Sequence, residues 1–394
     1  MLPRQTSPRR GVLEVFYKFS PAVSPDAQQQ TARSAEALGG KLRLVLSEPG
    51  QIFGDEMEHP CFTLPGTNSS QTRTPSFLLG GFPAGETAQM GSAVSLCSTY
   101  LLALLGNCTV LSIIKVEESL HAPMYLLLAM LAVADLGLST STFPSMLMTL
   151  WLEAREISFG ICVAQMFFIH TFTDIESAVI LATAFDRYVA IRHPLRYSSI
   201  LTNSVIIKIC VAIIMRTILI LLPLTVLLVQ LCFTRVNKLS HPYCLHPDII
   251  KHAGSDTRIN SVYGHFALLS TLGLDLLLVL LSYVLILKTV LNIATWRERL
   301  KALNTCISHV CAVLLFFIPM ICLSMLHRFG KHVSPHVYTF VANLHFLAPP
   351  ILNPIIYSVK TKVIRRRILR MFCQRGVCNS RAAICHQSRH DGHG

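Results

Sequence analysis

The chain has 394 residues, 52% of them hydrophobic and only 14% charged, with a formal net charge of +13 and a mean hydropathy of +0.51. Soluble globular domains carry about 25% charged residues, so an ordinary soluble protein of this size is excluded. The positive charge does not indicate nucleic acid, because the basic residues crowd into short gaps between apolar stretches and into the C-terminal tail.

Residues 1–90 are polar and rich in Pro, Gly, Ser and Gln, with no apolar run long enough for a signal peptide; they read as a largely disordered tail. Asn68-Ser69-Ser70 within it is a glycosylation sequon. Asn107-Cys108-Thr109 also matches, but it falls inside an apolar stretch beyond the reach of the modifying enzyme.

Seven apolar stretches follow, at 92–115, 123–147, 162–190, 204–230, 259–289, 302–326 and 336–357. Each approaches the ~20 residues that cross a bilayer as a helix. The expected fold is therefore an all-α membrane protein, a seven-helix bundle over 91–358. Residues 74–91 contain no Lys or Arg, whereas the gaps after spans three and five hold Arg187, Arg192, Arg196, Lys288, Arg297, Arg299 and Lys301. The tail adds Lys360, Lys362, Arg365, Arg366, Arg367 and Arg370. Cytoplasmic loops attract such residues, which puts the N-terminus outside and 359–394 in the cytosol. Residues 360–372 alternate basic and apolar, as in a short amphipathic helix on the inner membrane surface, where Cys373 or Cys378 is a candidate for palmitoylation.

Most of the 13 cysteines lie in apolar stretches, among them Cys108, Cys210, Cys311 and Cys322, where free cysteine behaves as a small hydrophobe. Cys162, at the outer start of span three, and Cys244, in the long outer gap after span four, both face an oxidising compartment and are expected to pair.

Asp186-Arg187-Tyr188 closes span three within Ala-Phe-Asp-Arg-Tyr-Val-Ala-Ile-Arg-His-Pro; its adjacent charges form a local pair that opens when a partner takes the Arg. In span seven, Pro350-Ile351-Leu352-Asn353-Pro354-Ile355-Ile356-Tyr357 carries a kink at Pro354, and neighbouring polar groups must satisfy the freed carbonyl. Asn107, Asp135 and Glu176 are polar groups within spans one, two and three. Interhelical hydrogen bonding accounts for Asn107. Asp135 and Glu176 are open to two readings, simple hydrogen bonding or a shared proton or cation.

These strings, with Pro123-Met124-Tyr125, Ser282-Tyr283 and Lys301-Ala302-Leu303-Asn304-Thr305-Cys306, resemble the signature set of vertebrate odorant receptors in the rhodopsin-like superfamily of G-protein-coupled receptors. His327-Arg328-Phe329-Gly330 and Leu239-Ser240-His241-Pro242-Tyr243-Cys244 resemble the class I, fish-like branch, and the likeness runs from about Phe77 to Phe372. The resemblance implies a plasma-membrane receptor that detects a small odorant in its outer half. It further implies an olfactory-type stimulatory G protein inside, with Arg187 as the switch facing it and Asp135 with Glu176 as a polar core. Trafficking chaperones and membrane lipid are the further partners expected.

The chain departs from that pattern in places. Class I relatives usually carry two more loop cysteines, at positions held here by Thr234 and Gly254, so the loop is expected to hang on Cys162–Cys244 alone with Cys232 unpaired. The usual Trp near the start of span one is absent, and 1–56 has no counterpart, which makes Met57 a candidate start.

A helix turns 100° per residue, which places Met166, Ile169, His170, Thr173 and Ser177 on the stripe of span three that begins at Cys162. His170 and Thr173 would line a cavity in the outer half, capped by Ser324 and Arg328 at the outer end of span six. A guanidinium there suits a carboxylate, in keeping with the hydrophilic odorants and short-chain acids that class I receptors detect. Head-group snorkelling or pairing with Asp248 accounts for Arg328 equally well, and His170 reads equally as a packed core histidine.

Other classes fit less well. No repeat relates the two halves, as it would in many transporters. Receptors for peptides and amines usually carry Cys-Trp-x-Pro in span six, where this chain has Phe316-Phe317-Ile318-Pro319. No phosphate loop, zinc-protease helix or nucleophile elbow occurs, so neither an enzyme nor a cofactor is expected. His386, His390 and His393 are too loosely set for a metal site.

Overall fold

The computed structural model describes residues 76–80, 86–151, 156–233, 236–329 and 333–374. Among the described residues, seven helices are long and apolar enough to cross a membrane. They are α1 (Glu86–Val116), α2 (Pro123–Trp151), α3 (Phe159–Arg192), α4 (Asn203–Val229), α5 (Arg258–Leu291), α6 (Trp296–Phe329) and α7 (Pro335–Lys360). Each overlaps its expected stretch, since the bilayer obliges every spanning segment to satisfy its backbone internally. Asn68, Cys373, Cys378 and the segment 1–56 lie outside the residues, or the side chains, that the structure describes.

α3 is the central pillar, in contact with α2, α4, α5 and α6. Its middle is buried on nearly every side, from Thr173 to Ile180. α4 and α5 instead leave Ile207, Val211, Leu219, Leu277, Leu280 and Leu281 exposed. Those surfaces face the lipid, which explains why α4 and the Leu274–Leu291 part of α5 are apolar all round and carry no amphipathic stripe. Beyond α7, α8 (Lys362–Gln374) tucks Ile364 into the inner core while Arg365, Arg366 and Arg370 stay exposed, as befits a helix lying on the membrane surface.

The outer face carries a small sheet of β1 (Ser76–Leu78), β2 (Glu156–Ser158) and β3 (Val236–Lys238), ordered β2-β1-β3. β1 pairs antiparallel with β2, Phe77 opposite Ile157, and parallel with β3, Phe77 opposite Asn237. Phe77 is fully buried against Phe159 and Phe233, so the chain entering α1 is anchored to the loops above α3 and α4. Gly80 is required at the end of this strand. Its N–H donates to the His241 carbonyl, and a Cβ there would lie 2.6 Å from the Ser240 carbonyl oxygen.

The Cys162–Cys244 disulfide forms and ties the outer loop to α3. It is not the loop's only bridge. Cys232 is itself disulfide-bonded, with a partner other than Cys162 and Cys244, which corrects the expectation that Cys232 stands unpaired. The position read as a vanished cysteine, Gly254, instead donates its N–H to the Cys232 carbonyl, and Ser255 accepts the Cys232 N–H through its hydroxyl.

Candidate ligand and signalling sites

Below the disulfide loop lies a cavity of about 220 Å³ between α3, α4, α5, α6 and α7. His170 and Thr173 line it from α3, Ser324 from α6 and His345 from α7; Leu221 and Leu224 form its apolar wall and His246 of the outer loop its roof. The other members of the α3 stripe do not reach it: Met166 and Ile169 pack into outer core clusters, and Ser177 turns to α5. Arg328 lies in α6 one turn beyond Ser324, and its side chain is outside the described residues. Asp248 is held within its own loop by the Ser240 N–H at 2.7 Å and hydroxyl at 3.0 Å.

His170 Nε2 accepts the His246 backbone N–H at 3.4 Å, so the ring proton sits on Nδ1. The His246 ring packs against Gly264, where a Cβ would lie 2.9 Å from Cε1, and its Nε2 has no partner among the described residues. Burial pushes the His246 imidazole down to about 3, from an ordinary 6.5. The folded state then refuses a proton that the unfolded chain accepts, so stability present above pH 6.5 drains away as pH falls from about 6.5 toward about 3. Purified receptor is expected to lose thermal stability between pH 7.5 and 5.5. One pH unit below the unfolded value costs about 1.4 kcal/mol for a single such group. In His246→Gln the loss should be smaller; an unchanged slope would remove His246 as its source.

Asp174 also lines the cavity and belongs to an ionic network that no sequence motif announced. Arg216 of α4 donates to Asp275 of α5 from Nη1 at 2.7 Å and Nη2 at 2.9 Å, and to Asp174 of α3 from Nη2 at 3.1 Å. Ser177 donates to Asp275 at 2.9 Å, and Thr217 hydrogen-bonds Asp174. A π-helical turn, Leu269–Gly273, precedes Asp275 in α5. The available signal was three ionisable residues inside three membrane-spanning stretches.

One layer deeper, Asp135, Glu176 and Asn353 meet, all buried. Asn353 Nδ2 lies 3.2 Å from both Asp135 oxygens and 3.3 Å from Glu176 Oε1; Glu176 Oε2 has no partner among the described residues. Among those residues no group of three or more His, Cys, Asp or Glu side chains could hold a metal ion. Asn107 Nδ2 donates at 2.8 Å to the Pro350 carbonyl, the acceptor that Pro354, lacking an N–H, leaves free in α7.

At the inner face Arg187 is ion-paired to its neighbour Asp186, with Nε 3.0 Å from Oδ2. Tyr197, in the loop after α3, donates to the other Asp186 oxygen at 2.6 Å. Tyr188 packs partly buried beside both inner core clusters. Arg187 also lines a cavity of about 400 Å³ with Tyr125, Asn304, His309, Tyr357 and Lys362. His309 Nε2 donates to the Ile180 carbonyl at 2.9 Å, so Nδ1 accepts the Tyr283 hydroxyl at 2.6 Å and links α3, α5 and α6. Tyr197 and His309 were not singled out from the sequence.

The structure is thus a seven-span bundle with a disulfide-bridged outer loop, a cavity beneath it and an ion-paired arginine at the inner mouth. The family profile of olfactory receptors matches residues 96–375. The chain belongs to the olfactory receptor family. It is 53% identical to human olfactory receptor 51L1 over 308 residues, which is 78% of this chain and 98% of that protein. Human olfactory receptor 51G2 is 52% identical over 306 residues, 78% of this chain and 98% of that protein. Mouse olfactory receptor 51E2 is 50% identical over 297 residues, 75% and 93% of the two chains. The receptor is thus a multi-pass plasma-membrane protein of a G-protein-coupled class, and the family is one of receptors and not of enzymes.

Proposed function

We propose that the receptor binds a small hydrophilic odorant, with short-chain carboxylic acids as the leading class, in the cavity under the disulfide loop, and activates an olfactory-type stimulatory G protein that raises cAMP. The observation that carries this reading is the convergence of His170, Thr173 and Ser324 on one cavity of about 220 Å³. That volume is below the 300–1,000 Å³ typical of drug-sized ligands and favours a molecule of few heavy atoms. A lining that combines polar groups with Leu221 and Leu224 suits a short amphiphile. Arg328, one turn beyond Ser324, supplies the cation that a carboxylate requires. Asp135 and Glu176, held together by a single amide, share a proton or a cation, because two such carboxylates cannot both stay bare in the membrane. Asn68 carries a glycan on the outer tail.

The test is a cAMP assay in cells expressing the olfactory G protein and a trafficking chaperone, with short- and medium-chain acids, alcohols and aldehydes as ligands. Acids should give a dose-dependent response that disappears in Arg187→Ala. Arg328→Ala should lower acid potency at least tenfold at equal surface expression, the loss expected for a charge-assisted contact of about 1.5–3 kcal/mol. Unchanged acid potency in that variant would remove Arg328 as the carboxylate's partner, and no response to any acid would leave the cavity to a neutral odorant.

A further inference from the structure

The cytoplasmic halves of α5 and α6 part company. They touch far less than α1 and α2 or α6 and α7 do, and the gap is an apolar groove of about 370 Å³. Ile286 and Leu287 of α5 face Leu303, Ile307 and Val310 of α6 across it, and Cys306 is buried on its floor. Leu287, Leu303 and Ile307 are 51%, 40% and 42% exposed, so the groove opens to the bilayer rather than to the bundle interior. Membrane helices associate by close packing, since apolar surface gains nothing by leaving lipid, and an open gap forfeits that contact. A lipid chain restores it.

The groove also has a charged mouth. At 100° per residue, Leu303, Ile307 and Val310 share one stripe of α6 with Arg299 and Trp296, four and seven residues nearer the cytosol than Leu303. Arg299 is half-buried. Its Nε donates to the Ile293 carbonyl at 2.6 Å, and its other guanidinium nitrogens have no partner among the described residues. Trp296 is exposed, as an aromatic anchor at the membrane–water boundary is. Arg299 lies about 6 Å along the helix from Leu303, close enough for one molecule to reach both the groove and the cation.

We propose that this groove seats an anionic phospholipid of the cytoplasmic leaflet, one acyl chain between α5 and α6 and its head group on Arg299. Charge selects the occupant: the cytoplasmic leaflet is rich in anionic lipid, and a zwitterionic head group gains little from a single guanidinium. The seat adjoins the Tyr283–His309 hydrogen bond, because Tyr283 lines the groove as well. The proposal is independent of which odorant the outer cavity takes.

The full-length receptor, reconstituted in nanodiscs, tests this with two photoreactive probes, a phosphatidylserine and a phosphatidylcholine carrying the same diazirine chain. Phosphatidylserine adducts should concentrate on 283–287 and 303–311. Arg299→Gln should reduce them about fivefold, the factor that corresponds to about 1 kcal/mol per basic side chain at an anionic surface. Ile307→Trp, which fills the groove from its lipid side, should remove them with Arg299 intact. Phosphatidylcholine should label all lipid faces alike. Adducts no denser in the groove than on the exposed face of α4, or unchanged by Arg299→Gln, would overturn the proposal. So would disulfide crosslinking of two receptors through Cys311, which would assign the groove to a second copy.

Discussion

Replacing Arg216 by methionine is expected to leave little or no folded receptor at the cell surface. Arg216 is the cation between Asp174 and Asp275, whose carboxylates are 4% and 0% exposed. Breaking a buried pair by removing one partner costs about 3–5 kcal/mol, because the surviving charge stays buried without compensation. Here two carboxylates would be stranded, and native stabilities are only about 5–15 kcal/mol. Arg216→Lys should rescue in part, since an ammonium restores the charge but cannot reproduce the planar fork that reaches two acids at once. The triple variant Asp174→Asn, Arg216→Met, Asp275→Asn should recover more surface receptor than Arg216→Met alone, as the stranded charges are gone. Surface staining and thermal unfolding of purified protein give the readout. An Arg216→Met receptor with unchanged surface level and unfolding temperature would show that the network contributes nothing to stability.

Tyr197→Phe is expected to raise basal G-protein activation about tenfold per surface receptor. Arg187 is held by Asp186, and Asp186 is oriented by the Tyr197 hydroxyl on its second oxygen. Burial, then the hydrogen bond to Asp186, keep the Tyr197 phenol above its usual range, so it remains a donor at any physiological pH. A hydrogen bond to a charged group contributes about 1.5–3 kcal/mol, and losing 1.4 kcal/mol shifts a two-state equilibrium about tenfold. Phenylalanine keeps the ring packed and removes only the donor. The gain should vanish in Tyr197→Phe, Arg187→Ala, which separates release of Arg187 from any independent effect of the loop. Basal signalling equal to the parent receptor would mean that Tyr197 does not restrain Arg187.

Much of the receptor was legible before its tertiary structure. The seven spans follow from the length and apolarity that a bilayer demands, and the orientation follows from where the lysines and arginines fall. Pro354 announced a broken hydrogen bond in span seven, and Asp186 beside Arg187 announced a local pair, because both effects act within one helical turn. The candidate ligand cavity was legible in part. His170 and Thr173 were placed by helical period alone, yet Met166, Ile169 and Ser177 on the same stripe point to other partners.

What only the tertiary structure decided is which distant groups meet. Asn107 completes the carbonyl freed by Pro354 from 243 residues away, and Arg216 finds Asp174 and Asp275 at separations of 42 and 59. Cys232 is expected to stand unpaired from the sequence because the expected partner positions lack cysteine, yet it is disulfide-bonded. Hydropathy records that a segment lies in the membrane. It does not record the rotation or depth of that helix against its neighbours. α4 and the Leu274–Leu291 part of α5 are apolar on every face, so no periodicity marks the side that carries Arg216 or Asp275 inward. That side is set by the packing of four helices around α3, where the cost of an unpaired buried charge leaves few arrangements to choose from.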